Sequence, residues 1–139
     1  LSNQDMQDAF GFDVASFLRK VKSEITVGKV RLELDGNDSK ASAVYEGNMC
    51  VIHLPTRDAI KRIKGFDDKT VHAKQKAGLI EELCHCSLHE AAHDDKVVGC
   101  TVSMMQKHLT SEELAITYIQ EKISRLKRSL EIVEDIASL

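Results

Sequence analysis

At 139 residues the chain has room for one domain and little more. Hydrophobic residues at 42% and charged residues at 29% exclude a disordered, a collagen-like or a membrane-spanning chain. A net charge of −3, 4% aromatic residues and no tryptophan argue against a nucleic-acid partner, whether met by a basic surface or by stacking.

No basic stretch followed by an apolar one opens the chain, so no leader is expected. Val14, Phe17, Leu18, Val21 and Ile25 recur at helical spacing, which predicts a helix over 13–25 with Asp13 as N-cap. The period then changes to two. Val30, Leu32 and Leu34 alternate with Arg31 and Glu33 and predict a strand. A turn at 35–38, a strand at 41–46, a turn at 46–48 and a strand at 49–54 ended by Pro55 complete an expected antiparallel meander. A short helix is expected over 56–64, broken at Gly65.

A long helix is expected from about Thr70 to His93, on an apolar stripe of Ala73, Ala77, Ile80, Cys84, Leu88 and Ala91. Residues 97–105 read as a strand or an extended loop. Thr110 to Glu113 form a capping box that opens a last helix running nearly to Leu139. The expected architecture is α+β within a single domain: an N-terminal helix (1–28), a core (29–109) and a C-terminal helix (110–139).

Four cysteines stand at 50, 84, 86 and 100. On a helix Cys84 and Cys86 point about 200° apart, so they cannot bridge each other. Free thiols in a reducing, cytoplasmic compartment are therefore expected, with Cys84 as a small buried apolar side chain.

His89-Glu90-Ala91-Ala92-His93 is an H-E-x-x-H sequence. On a helix, residues i and i+4 share a face, so two imidazoles can hold one Zn²⁺. The glutamate between them is rotated out of the ligand set and is placed to act as general base on a metal-activated water. A third ligand is needed. The candidates are His108, Glu112 and Glu113; Glu112 is preferred, because Glu113 has a competing place in the capping box, with His108 second. His85 extends the series one turn upstream and reads as a supporting or surface histidine. Glu82-x-x-His85 and Glu90-x-x-His93 match half-motifs of di-iron bundles, which take them from separate helices, so that site is set aside.

A meander, a helix with H-E-x-x-H and a later glutamate resemble the zincin metallopeptidases, and the glutamate resembles their gluzincin branch. The resemblance covers roughly Lys29 to Glu121. It implies Zn²⁺ on His89, His93 and Glu112, with Glu90 as base and proton shuttle. Tyr118 and a histidine such as His108 are the candidates for stabilising the oxyanion, and the sequence does not select between them. The resemblance also implies a peptide or protein substrate paired to an edge strand, expected at Met49–Leu54. The expected activity is zinc-dependent peptide hydrolysis, in an active enzyme or an inactive relic. Asp94 and Asp95 depart from the family, whose helices carry uncharged residues after the second histidine.

The alternative is an assembly protein. Ile116, Ile119, Ile123, Leu126, Leu130, Val133 and Ala137 are spaced 3-4-3-4-3-4, the a/d seam of a coiled coil. A homo- or hetero-oligomer through this helix is expected. No membrane partner is.

Overall fold

A computed structural model describes residues 3–90 and 92–139, with the side chains of Asn3 and Gln4 left aside. Its elements are α1 (Asn3–Phe10), α2 (Val14–Lys22), β1 (Lys29–Asp35), β2 (Ser42–Glu46), β3 (Met49–Pro55), α3 (Arg57–Lys64), α4 (Asp68–Leu88), α5 (Asp95–His108) and α6 (Ser111–Ala137). The fold is α+β, with a three-stranded mixed sheet and a long C-terminal helix.

Local chemistry sets most of the boundaries. Asp13, Thr56, Asp67 and Thr110 each accept a hydrogen bond from a backbone N–H in the first turn of the helix they open. Thr110 and Glu113 complete the expected capping box. Gly65 closes α3 in the left-handed conformation, where a Cβ would be strained.

The sheet is not the expected meander. Its order is β1-β3-β2, with β1 parallel to β3 and β2 antiparallel to it. The reason lies in side-chain composition. β1 is mostly half-buried and β2 mostly exposed, but Met49–Pro55 is a largely apolar run whose Cys50, Val51, Ile52 and Leu54 are all buried. A strand buried on both faces belongs in the middle of a sheet. β3 is therefore central, not the free edge, and β2 is an edge strand.

Two further corrections concern 89–105. α4 ends at Leu88, so the H-E-x-x-H stretch is not helical, and Ala91 within it lies outside the described residues. The stretch expected as a strand is α5, capped by Asp94, whose side chain accepts from the Val97 N–H at 2.9 Å. Val97 and Met104, two turns apart, are its buried face. Asp94 and Asp95 thus begin a helix of their own, six residues beyond the end of α4.

The core joins Phe10, Val14, Phe17 and Val21 to Ile52 and Leu54 of β3 and to Leu79, Ile80 and Leu83 of α4. Two disulfides clamp the last turn of α4. Cys86 bonds Cys50 of β3, and Cys84 bonds Cys100 of α5. The expectation of free thiols is overturned. The divergence of Cys84 and Cys86 is real, and it lets each reach a different partner. Of the helices described, none is long and apolar enough to cross a membrane.

Candidate metal centre

α4 fails to continue through His89 because its C-terminal carbonyls are satisfied otherwise. His89 turns left-handed at φ 51°, and the N–H groups of His89 and Glu90 donate back to Cys86 O and His85 O. This is a Schellman-type closure. The Tyr45 hydroxyl donates to Cys86 O at 2.5 Å, and the Tyr45 ring stacks on His89 at 5.0 Å between centroids. Burial raises the Tyr45 phenol pKa, which suits a hydroxyl that must stay protonated to donate.

The turn folds the 89–94 segment back along α4. His93 comes to lie with its Nδ1 3.2 Å from Glu81 Oε1, while His85 Nε2 stands 3.8 Å from the same oxygen. The two imidazoles meet edge to face at 4.9 Å. One ligand atom from each of Glu81, His85 and His93 lies within 4.8 Å of the others. Ligands held about 2.1 Å from a tetrahedral Zn²⁺ stand about 3.4 Å apart, so small side-chain movements would bring this group to bonding geometry.

The His85 tautomer sharpens the point. His85 Nδ1 lies 2.7 Å from Glu90 O. A carbonyl only accepts, so Nδ1 carries a proton. A neutral ring then presents a bare lone pair at Nε2 beside the Glu81 carboxylate. Those groups repel unless a proton or a cation lies between them. A ligating histidine is commonly oriented in this way, through its other nitrogen. The His85 side chain is 11% exposed and His93 68%, so the group sits where a buried wall meets solvent.

Beside it opens a cavity of about 420 Å³, lined by β2, by Glu82, His85 and His89, and by Glu90 and His93. Burial pushes the Glu82 carboxyl above its ordinary range, with Glu81 adding to the shift and His85 and His93 opposing it.

The structure separates most of the expected site. Of the expected pair, only His93 joins the group. His89 is occupied by its stack on Tyr45. Glu90 contributes its carbonyl to His85, while its carboxylate accepts from the Ala92 N–H. Glu112 pairs with Lys69 at 3.0 Å, in the first turn of α4. His85 lies sixteen residues further along that helix, about 24 Å away along its axis. Glu113 serves the capping box and Lys76. His108 packs edge-on against Phe17, with Nε2 3.5 Å from Glu24. Tyr118 is exposed beneath the Lys122 ammonium.

Glu81 was missed in the sequence, although Glu81-x-x-x-His85 is itself an i, i+4 pair on one helical face. That spacing was a legible signal. The arrival of His93 was not, because it depends on the left-handed turn. Compared with known family models, curated proteins and solved structures, the chain matches none.

Proposed function

We propose that the chain binds one Zn²⁺ through Glu81, His85 Nε2 and His93 Nδ1. The observation that carries this is the Glu81–His85–His93 group, whose His85 is already held by a carbonyl in the ligating tautomer. Two imidazoles and one carboxylate suit zinc better than magnesium or calcium, which take all-oxygen sites. Three protein ligands leave a position open, the pattern of catalytic rather than structural zinc.

A zinc-dependent hydrolase is the reading of that open position, with Glu82 in place of Glu90 as the acid–base group. Support comes from the neighbouring cavity and from the raised pKa of the Glu82 carboxyl at its wall. Zinc would supply Lewis acidity and an acidic water there. The peptide substrate implied by the zincin resemblance would pair with the outer edge of β2, which lines the cavity. The two disulfides favour an oxidising compartment over the cytoplasm.

Zinc titration of the purified chain tests the site. One equivalent is expected, with affinity at least about a hundredfold weaker in His85→Ala and His93→Ala, and nearly unchanged in His89→Ala. Binding should weaken as the pH falls, since protons compete for both imidazoles. Loss of zinc in His89→Ala with retention in His85→Ala would return the site to the H-E-x-x-H pair.

A further inference from the structure

We infer that α6 pairs antiparallel with α6 of a second copy of this chain, independently of any metal. α6 has 27 residues and no buried one. Its first turns rest on α4 through Glu113 and Leu114, but every residue from Glu121 onward is exposed. About 25 Å of helix therefore projects without tertiary support. An unsupported helix of this length is marginal in water, because most helical stability in proteins comes from packing an apolar face.

The bare segment carries that face. Ile123, Leu126, Leu130 and Val133 continue the a/d seam and are all exposed, Leu126 by 69%. A seam this regular fits a second helix laid along it.

Charge identifies the second helix. Residues 122–128 hold Lys122, Arg125, Lys127 and Arg128 and no acid, whereas 131–135 hold Glu131, Glu134 and Asp135 and no base. A parallel second copy would lay the basic block on itself and set Lys122 against the partner's Lys127, in g and e positions. An antiparallel copy lays basic on acidic twice, by symmetry. The same register closes the seam: Leu126 meets the partner's Leu130, Ile123 the partner's Val133, and Ile119 the partner's Ala137. The surface is self-complementary about a two-fold axis near Arg128, as a closed dimer requires.

Sedimentation of the full chain tests this. A dimer is expected at micromolar concentrations, and a monomer at all accessible concentrations would overturn the proposal. Lys122→Glu with Arg125→Glu, which in this register meet the partner's Glu134 and the partner's Glu131, should weaken dimerisation at least tenfold, and adding Glu131→Lys with Glu134→Lys should restore it. These positions are exposed, so the domain's own core is untouched; unchanged association in the first variant would overturn the charge argument. Orientation is read by mixing Ile119→Cys and Ala137→Cys chains under mild oxidation. Cross-linking between the two variants is expected. Cross-linking of each variant only to itself would show a parallel pair and overturn the antiparallel one.

Discussion

The two ends of α4 place carboxylates beside nitrogen groups in opposite ways. At the N-terminal end Glu112 and Glu113 of α6 meet the ammonium groups of Lys69 and Lys76 at 3.0 and 2.7 Å. Lysine brings a permanent charge and only donors, so each pair is complete and has no place for an ion. At the C-terminal end Glu81 meets two imidazoles, which offer lone pairs when neutral, and Glu82 is half-buried beside them. The same helix thus has one end that is finished electrostatically and one whose carboxylate and imidazoles could hold a cation.

The sharpest way to break this contrast is to release the clamps at the C-terminal end. Cys84–Cys100 closes a separation of 16 residues and holds α5, with its leading loop, against α4. That loop delivers His93. Cys84→Ser with Cys100→Ser should cost about 3 kcal/mol of stability by the loop-entropy account. Chemical denaturation would measure it, and zinc titration of the variant should show weaker binding, because His93 is no longer held. Unchanged zinc affinity would mean that the turn at His89 alone positions the loop.

A smaller effect is expected at the other end. Burial alone would raise the Glu113 carboxyl, but the Lys76 ammonium and the Thr110 N–H outweigh it and hold the group below its ordinary range. A depressed carboxyl contributes stability that is present above its unfolded pKa, about 4.3, and is lost as pH falls through the folded value. Wild type should therefore lose more stability than Glu113→Gln as acid is added below about pH 4.5. At neutral pH that substitution should cost about 2 kcal/mol, since it weakens a charge-assisted bond in a partly buried pair. Parallel acid titrations of both proteins would reveal a pH-independent difference if the pair contributes nothing.

The contrast also explains what could be read from sequence. Three helix starts were legible, since a side-chain cap acts within three residues: Asp13, Thr56 and Thr110 sit where the sequence places them, whereas the cap at Asp94 opens a stretch that reads as a strand or loop. The end of α4 was not. H-E-x-x-H has helical spacing, but Asp94 serves α5, and Tyr45, 41 residues before Cys86, captures the terminal carbonyl. That tie is tertiary and has no local signature. The sheet order was legible in hindsight, because only 49–54 reads apolar without alternation. The disulfides required knowing which elements flank α4, and the pair Glu81–His85 required weighing every i, i+4 combination rather than the familiar one.

The smallest expected effect bears on Glu112, the residue that the motif reading made a ligand. Its ion pair with Lys69 is exposed on both sides, with side chains 63% and 73% accessible. Exposed pairs of this kind contribute little after side-chain entropy and salt screening, so Glu112→Ala should change stability by less than about 0.5 kcal/mol. The change should shrink further in high salt. Zinc affinity should be the same as in wild type, because the axial run of α4 separates Glu112 from Glu81, His85 and His93. The two neighbouring glutamates then differ in kind. Glu113 anchors α6, and Glu112 rests on its surface. Zinc loss in Glu112→Ala would require α6 to swing from the N-terminal to the C-terminal end of α4. The capping box and the Lys76 pair, both made by the next residue, hold it against that movement.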